Sequence, residues 1–249
     1  WYLLSYRAKV TSSGSEQGHE AALVVDENVQ TWWKAKEQDA EPWLCLDLGT
    51  CDHVHVVQIN FADDMENQIE CPGSLVAGPD MERYIDCTIH PTRWLLEGSV
   101  DGRDWSVLAD KRQVQTDLPH DYVVFDDGID LRFIKLTIMD VPYHVLPSIS
   151  GIRVFGKGDG ERPEQAKVQI ERTSPRDMVV SATADVSVLG YNILWGHALG
   201  KLYHSCMVMG ECQSHKVGAL VEGQSYCIRV DTFNKNGITY GQEICLPVV

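Results

Sequence analysis

The sequence has no long hydrophobic run and an excess of negative over positive charge. No apolar stretch approaches the roughly 18 residues that a membrane-spanning helix needs. There are 36 acidic and 21 basic residues, which gives a net charge of −15. Nucleic acids and anionic membrane surfaces are bound by basic protein faces. We therefore expect neither as a partner, whereas neutral glycans and divalent cations are compatible with this composition.

Sequence signatures of catalysis are also missing. The chain contains no Gly-x-Ser-x-Gly elbow, no His-Glu-x-x-His and no phosphate-cradling glycine loop. Asp63 and Asp64 are adjacent acids, and neighbouring side chains on a strand point to opposite faces, so we do not expect them to converge. Glycosidases need two carboxyl groups about 5–9.5 Å apart across one bond. Since no repeat of propeller-blade length is present either, we predict that this chain is not an enzyme.

Eight cysteines are present, but none has the Cys-x-x-Cys spacing of ribbon-type zinc sites. Cys45 and Cys227 lie inside predicted strands, where a lone thiol usually acts as a small core hydrophobe. We therefore favour reduced thiols, which suggests a cytoplasmic setting, with a secreted or cell-surface location as the alternative. Cys71 and Cys87 form the first pair to test for a disulfide.

Helical periodicity is nearly absent, and short strand-like runs recur along the whole chain. Runs rich in β-branched and aromatic residues, such as 44–48 and 53–61, alternate with Gly, Asp, Asn and Pro. Many short strands with regular turn signals are typical of β-sandwiches. The dipeptide Asp101-Gly102 predicts a hairpin turn between two such runs. We therefore predict an all-β protein.

A short polar segment divides the chain. Residues 156–163 combine glycines, charges and a proline, a composition typical of linkers. We predict a first domain at 1–156, a linker at 157–163 and a second domain at 164–249. Because the chain begins with Trp1 rather than Met, we expect it to be a fragment of a longer protein.

The second domain carries a motif of its own. The strand-like run 226–233 begins at Tyr226 and is preceded by Leu220 and Gly223. This spacing of Leu, Gly and Tyr resembles the tyrosine corner of Greek-key sandwiches. Residues 234–237 read as the turn into a final strand. Together these features resemble a fibronectin type III domain, which implies a small immunoglobulin-like sandwich.

Several blocks of the first domain share the order and spacing of one known family. The blocks are residues 26–33, 43–49, 94–102, 132–136 and 149–156. They resemble the discoidin-like (coagulation factor type C) sandwich, whose sugar-binding members form carbohydrate-binding module family 32. The resemblance implies an eight-stranded jelly-roll sandwich over residues 1–156.

A second resemblance crosses both domains. It rests on residues 83–86, 92–99, 118–122, 201–205 and 229–234. These look like the C-terminal half of glycoside hydrolase family 43-type proteins of gut bacteria, where a catalytic propeller precedes this pair of domains. The resemblance implies a non-catalytic accessory region whose parent is a bacterial xylosidase or arabinofuranosidase type of enzyme. The implied partners are a plant-type oligo- or polysaccharide such as xylan or arabinan and an N-terminal catalytic domain.

A sugar site needs an aromatic face for the apolar side of the ring and polar side chains for its hydroxyls. On the discoidin-like fold such sites lie in loops at one end of the sandwich. The candidate carbohydrate-binding residues are Trp32, Asp63, Asp64, Arg83, Tyr84, Tyr143 and His144. The alternative is that Trp32 and Tyr143 pack loops against the core.

The same resemblance implies a structural calcium ion. Asp26, Asn28 and Thr31 offer side-chain oxygens beside the carbonyl of Val24, and calcium prefers six to eight such ligands. The family completes the site with an acid in its last strand, but Gly151 occupies that position here. The alternative is an Asx turn that starts a loop.

The sequence leaves three functions to compare. The favoured one is a binding module that keeps a glycan near the catalytic domain and so raises its effective concentration. The second is a purely structural pair of sandwiches that docks on the propeller and has no sugar site. The third is an adhesion or protein-recognition module.

Overall fold

The computed structural model describes residues 1–64, 74–78, 81–85 and 88–248, and for the two short middle segments it describes the backbone alone. Strands form about 54% of the chain and helices about 4%, in several antiparallel sheets. The prediction of an all-β protein is therefore confirmed. Within the described ranges, no helix has the length and apolar character needed to cross a membrane.

The chain divides into two compact units, Leu3–Gly156 and Lys157–Val249. Eight strands of the first unit form one sheet in the order β1-β10-β4-β9-β7-β8, with β2 paired to β4 and β3 to β10, and β5 and β6 form a separate hairpin. The strands are β1 (Tyr2–Leu3), β2 (Lys9–Ser12), β3 (Trp33–Lys34), β4 (Trp43–Phe61), β5 (Ser74–Gly78), β6 (Met81–Ile85), β7 (Arg93–Ser99), β8 (Ser106–Asp110), β9 (His120–Asp140) and β10 (Ser148–Lys157). Short 3₁₀ turns lie at Ala21–Val25 and Pro142–His144.

The two long strands β4 and β9 fold this sheet over on itself. The first half of β4 pairs with β2 and with the last part of β9, whereas its second half pairs with the first part of β9. The register shifts between Asp47 and Asp52, next to Gly49 at φ +84°. The runs 44–48 and 53–61 are thus two halves of one bent strand, and both halves bury side chains in one core.

That core is built from the alternation of the strands around two tryptophans. Trp33 and Trp94 are fully buried, and the indole of Trp33 donates hydrogen bonds to the Gly14 carbonyl at 3.1 Å and to the Ser15 hydroxyl at 3.0 Å. Every second residue of the first half of β4, such as Leu44, is buried as well. Burial of one such aliphatic side chain contributes about 1.5–3 kcal/mol.

The predicted hairpin at Asp101-Gly102 is confirmed. The strands β7 and β8 pair on either side of it, and Gly102 takes the left-handed conformation at φ +76°. The Asp101 carboxylate accepts hydrogen bonds from the backbone N–H groups of Arg103 at 2.8 Å and Asp104 at 3.0 Å. These bonds lower the pKa of Asp101, because they stabilise its ionised form.

The second unit packs two sheets against each other. One has the order β11-β12-β15, and the other has the order β14-β13-β16-β17 with β18 on β16. Side chains from both, including Val180 and Ile228, share one core. The strands are β11 (Lys167–Ser174), β12 (Asp177–Thr183), β13 (Gly190–Gly196), β14 (His204–Met209), β15 (Cys212–Val217), β16 (Tyr226–Asn234), β17 (Gly237–Thr239) and β18 (Ile244–Leu246).

The tyrosine-corner contact predicted in this unit is confirmed. The Tyr226 ring is buried, and its hydroxyl accepts a hydrogen bond from the backbone N–H of Val221 at 2.8 Å. The predicted turn is confirmed too, because Asn234 at the end of β16 pairs with Gly237 at the start of β17.

The prediction of reduced thiols is wrong for one pair. Cys227 and Cys245 lie directly opposite each other on β16 and β18 and form a disulfide. The sequence could not show this, because only the return of β18 along β16 brings the two together. Cys45 is a partly buried free thiol, and burial raises its pKa. Cys71 and Cys87 lie outside the described residues.

The segment predicted as a linker, 157–163, is hydrogen-bonded to the second unit. The backbone N–H of Gly158 donates to the Lys235 carbonyl at 2.8 Å. The side-chain amide of Asn234 donates to the Glu161 carbonyl at 3.0 Å. A polar composition alone gave no sign of these contacts, because they depend on how the chain returns past the segment.

Candidate functional site

A cavity of about 260 Å³ lies at one end of the first unit, where β4 ends, β7 begins and β9 leads into β10. We call it the Tyr143 cavity. Three of the predicted site residues line it, namely Asp63, Asp64 and Tyr143. Its lining also includes three residues that were not predicted as site residues, namely Thr92, Asp117 and Ser148.

The loop that carries Tyr143 has a strained backbone. Tyr143 and His144 are both left-handed, with φ of 60° and 54°, and each such residue costs about 1–3 kcal/mol unless its surroundings hold it. The Tyr143 ring lies against His90 with 4.3 Å between the ring centroids, and the His144 ring contacts the Asp140 carboxylate at 2.7 Å. Pro142 fixes the start of the turn. Strain of this kind is concentrated at functional sites.

A buried ion pair holds Asp64, another residue that lines the cavity. Lys34 is only 9% exposed, and its ammonium lies 2.8 Å from the Asp64 carboxylate and 3.5 Å from Glu16. Burial raises the pKa of Asp64, but the hydrogen bond and charge of Lys34, together with Trp32 and His19, lower it by more, so the net shift is downward. The same hydrogen bond raises the pKa of Lys34. Asp64 is thus an ionised acceptor at neutral pH.

The expectation that Asp63 and Asp64 diverge is wrong. It assumed a strand, but β4 ends at Phe61, and both acids lie in the loop that follows and line the same cavity. The downward pKa shift of Asp64 is nevertheless the opposite of what a glycosidase general acid needs. The geometry therefore offers ligand contacts rather than acid catalysis.

Thr92 is the residue that sequence reasoning missed most clearly. It is 4% exposed, lines the cavity, and its hydroxyl has no hydrogen-bond partner among the described residues. A buried hydroxyl without a partner costs about 1–3 kcal/mol. A ligand hydroxyl in the cavity would remove that cost. Its position just before the predicted strand gave no signal, because burial at this point arises only when the loops close over it.

Two of the other predicted site residues, Trp32 and His144, are not among the residues that line the cavity. Trp32 is half-buried against His19, with 4.8 Å between the ring centroids, and does not line the cavity. His144 is exposed and points to Asp140. The side chains of Arg83 and Tyr84 lie outside the described residues.

The electrostatics of the cavity select against anions. Asp63, Asp64 and Asp117 line it, and no cationic side chain is among its described lining residues; Lys34 lies outside the lining and pairs with Asp64 alone of these three acids. Bringing a ligand carboxylate or sulfate close to these acids costs free energy through like-charge repulsion. Neutral or cationic ligands do not meet this barrier.

The loop predicted to bind calcium is held by its own hydrogen bonds. The Asp26 carboxylate accepts from the Asn28 backbone N–H at 2.8 Å and from the Thr31 hydroxyl at 2.7 Å, an Asx-type arrangement. The neighbouring acid Glu27 pairs with Arg153 at 3.0 Å. These oxygens suit calcium in kind, but in the described part of the chain no three His, Cys, Asp or Glu side chains cluster to hold a metal. Calcium at Val24, Asp26, Asn28 and Thr31 stays a prediction.

No protein-family model and no curated protein matches the chain. Solved structures do resemble it. A chitosan-binding module of a Paenibacillus sp. IK-5 chitosanase/glucanase is 16% identical, with 63% of this chain and 100% of that chain covered and a TM-score of 0.46. The module CpGH89CBM32-6 of Clostridium perfringens is 16% identical, with 62% of this chain and 99% of that chain covered and a TM-score of 0.46.

A family 32 carbohydrate-binding module of C. perfringens NanJ, solved with galactose, is 19% identical, with 61% of this chain and 96% of that chain covered and a TM-score of 0.45. These TM-scores and identities are too low for the ligands of the three modules to be assigned to this chain.

Proposed function

We propose that this chain is the non-catalytic carbohydrate-binding region of a bacterial glycoside hydrolase, with the Tyr143 cavity as its sugar site. The observation that carries the proposal is the combination, in one cavity, of an aromatic ring, a buried hydroxyl without a hydrogen-bond partner among the described residues, and side-chain carboxyl oxygens. Tyr143 supplies the ring, Thr92 the hydroxyl, and Asp63 and Asp117 the acceptors. Sugars are bound by this combination of an aromatic face and a few placed polar groups.

The charge of the cavity supports a neutral ligand. Xylan and arabinan chains without acidic decoration meet this requirement, whereas uronic acids bring a charge that Asp63 and Asp117 oppose. A plant polysaccharide of this kind is therefore the proposed ligand. The parent enzyme is proposed to be of the xylosidase or arabinofuranosidase type, with its catalytic domain N-terminal to this chain.

The two units have different roles in this proposal. The first is a discoidin-like module that holds the glycan, and the second is a fibronectin type III spacer or packing partner. The tyrosine corner at Tyr226 supports the second assignment. The disulfide between Cys227 and Cys245 supports a secreted or cell-surface protein over a cytoplasmic one, because disulfides persist in oxidising compartments.

Two substitutions test the site on the full chain. In calorimetric titrations with xylo- and arabino-oligosaccharides, Tyr143→Ala should weaken binding about fivefold, since an aromatic contact contributes on the order of 1 kcal/mol. Thr92→Val keeps the shape but removes the hydroxyl. It should weaken binding and leave stability unchanged or raised, because a buried hydroxyl without a partner is lost.

Tyr203→Ala, at an exposed tyrosine of the second unit, is the matched control and should leave affinity unchanged. If Tyr143→Ala lowers stability while affinity holds, the ring packs the loop and the structural alternative is favoured. Absence of binding to xylans, arabinans and galactosides alike would remove the sugar-binding proposal.

A further inference from the structure

A second and larger pocket lies on the outer face of the first unit's sheet, where β4, β9 and β10 run side by side. Its volume is about 490 Å³, within the roughly 300–1,000 Å³ of ligand sites. We call it the Gly151 pocket. Its floor and one wall are formed by strand residues, and the loop 27–29 closes another side; the strand residues are Gln58, Asn60, His120, Ser150, Gly151 and Arg153.

The strand alternation places polar side chains in this pocket. Val57 and Ile59 are fully buried in the core, so Gln58 and Asn60 point to the opposite face of the sheet. Across the sheet, Gln58 lies opposite Tyr122 in the register. Tyr122 is 66% exposed and, although it does not line the pocket itself, it lies beside the lining residue Gln58 on the same face of the sheet.

The polar groups of the floor are held in place. The amide of Gln58 donates to the side-chain oxygen of Asn60 at 3.1 Å, and the Ser150 hydroxyl donates to the Asn60 carbonyl at 3.2 Å. Amides and hydroxyls both donate and accept hydrogen bonds, as sugar hydroxyls do. Because the groups stand on strands rather than on loops, a ligand meets a preformed set of contacts.

The loop side of the pocket is fixed by an ion pair that also cancels its charge. Glu27 is left-handed at φ 61°, and its carboxylate accepts a hydrogen bond from Arg153 at 3.0 Å. The pair holds Asn28 and Val29 beside the sheet, where they line the pocket. With Glu27 and Arg153 neutralising each other, the pocket suits an uncharged ligand.

The Gly151 pocket is separate from the Tyr143 cavity. The two share no lining residue. At the end of β4, Asn60 lines the Gly151 pocket and its neighbour Phe61 lines the Tyr143 cavity, because successive strand residues point to opposite faces. At the start of β9, His120 lines the Gly151 pocket, whereas Pro119, just before the strand, lines the Tyr143 cavity. Substitutions can therefore remove one site and leave the other.

We propose that the Gly151 pocket is a second glycan-binding site, which takes a neutral saccharide with its ring against Tyr122 and its hydroxyls on Gln58 and Asn60. The inference extends the proposed function from one sugar site to two, and it does not require the first site to be occupied. Two sites on one unit would raise the avidity for a polysaccharide chain or for neighbouring chains.

The test is an amide NMR titration of the full chain with xylotriose, chitotriose and galactose, each added separately. The side-chain NH₂ groups of Gln58 and Asn60 report on the Gly151 pocket, and the backbone amides of Thr92 and Tyr143 report on the Tyr143 cavity. At least one of the sugars should shift the Gln58 and Asn60 signals. Tyr122→Ala should weaken that response about tenfold, with the Thr92 and Tyr143 response unchanged.

Gly151→Gln is a second variant that fills the pocket, since a Cβ at this position would lie 3.3 Å from the Asn60 side-chain nitrogen. It should abolish the shifts, whereas Tyr203→Ala should preserve them. Silence of Gln58 and Asn60 with all three sugars overturns the inference, as does a response that survives both Tyr122→Ala and Gly151→Gln. Shifts at Thr92 and Tyr143 alone support the proposed function without the second site, and shifts at Gln58 and Asn60 alone support the second site against the first.

Discussion

The Tyr143 cavity and the Gly151 pocket serve the same proposed purpose but are built in different ways. The first is formed by loops at the strand ends, with two left-handed residues and the buried ion pair of Lys34 and Asp64. The second is formed mainly by strand residues, with one left-handed residue, Glu27, in the loop beside it. The comparison teaches that a site built from loops depends on a few interactions with a high free-energy cost, such as left-handed residues and a buried ion pair. The shape of a site built from strands is fixed by the backbone pairing of the sheet.

The largest expected difference comes from removing one ion-pair partner at each site. Lys34→Met should lower the free energy of unfolding by about 2 kcal/mol, because it leaves the mostly buried Asp64 charge without its partner. Arg153→Met should cost about 1 kcal/mol or less, because Arg153 is more open to water than Lys34. Urea unfolding of the two variants measures both values.

Measuring the free energy of unfolding at acid pH tests the role of Lys34 more directly. Because Lys34 lowers the pKa of Asp64, the pair stabilises the fold above the ordinary carboxyl pKa of about 4, and this stability is lost as the pH falls through the lowered pKa. Lys34→Met should therefore flatten the acid-induced loss. Tyr203→Ala, which changes no ion pair among the described residues, is the control; an equally flattened acid profile in the Lys34 and Tyr203 variants would contradict the comparison.

A smaller effect is expected from relieving the backbone at each site. His144→Gly should raise stability by about 0.5–1 kcal/mol, because glycine takes a left-handed conformation without strain and the exposed His144 side chain contributes little. Glu27→Gly gains the same relief but loses the ion pair with Arg153, so its net effect should be near zero. Thermal unfolding distinguishes the two, and an equal gain in both variants would show that the ion pair adds nothing.

The smallest expected effect concerns the loop that carries the calcium candidates and lines one side of the Gly151 pocket through Asn28. Calcium bound at Asp26, Asn28 and Thr31 should raise the melting temperature by about 1–2 °C, and EDTA should reverse the rise, because the loop already satisfies its own oxygens. Asp26→Asn should abolish the response. If neither calcium nor EDTA changes the melting temperature of the wild-type chain, the site does not bind calcium.

The features that local sequence did predict are those governed by neighbouring residues. Turn chemistry identified the Asp101-Gly102 hairpin, and the spacing around Tyr226 identified the tyrosine corner, because each depends on residues a few positions apart. The prediction that the side chains of Asp63 and Asp64 point to opposite faces of a strand was wrong, because β4 ends before them, at Phe61. The end of β4 is set by its pairing with β9 rather than by the acids themselves.

By itself, the sequence determined the all-β character, the turns and the acidic charge of this protein, because strand alternation, turn residues and net charge are local or additive properties. Only the tertiary structure decided that the Thr92 hydroxyl is buried without a hydrogen-bond partner among the described residues, that Lys34 pairs with Asp64, and that Cys227 bonds to Cys245. Each of these depends on a contact between segments that are distant in the chain or closed over by loops. Such contacts form when sheets bury their apolar faces, and they cannot be predicted from any short stretch of sequence.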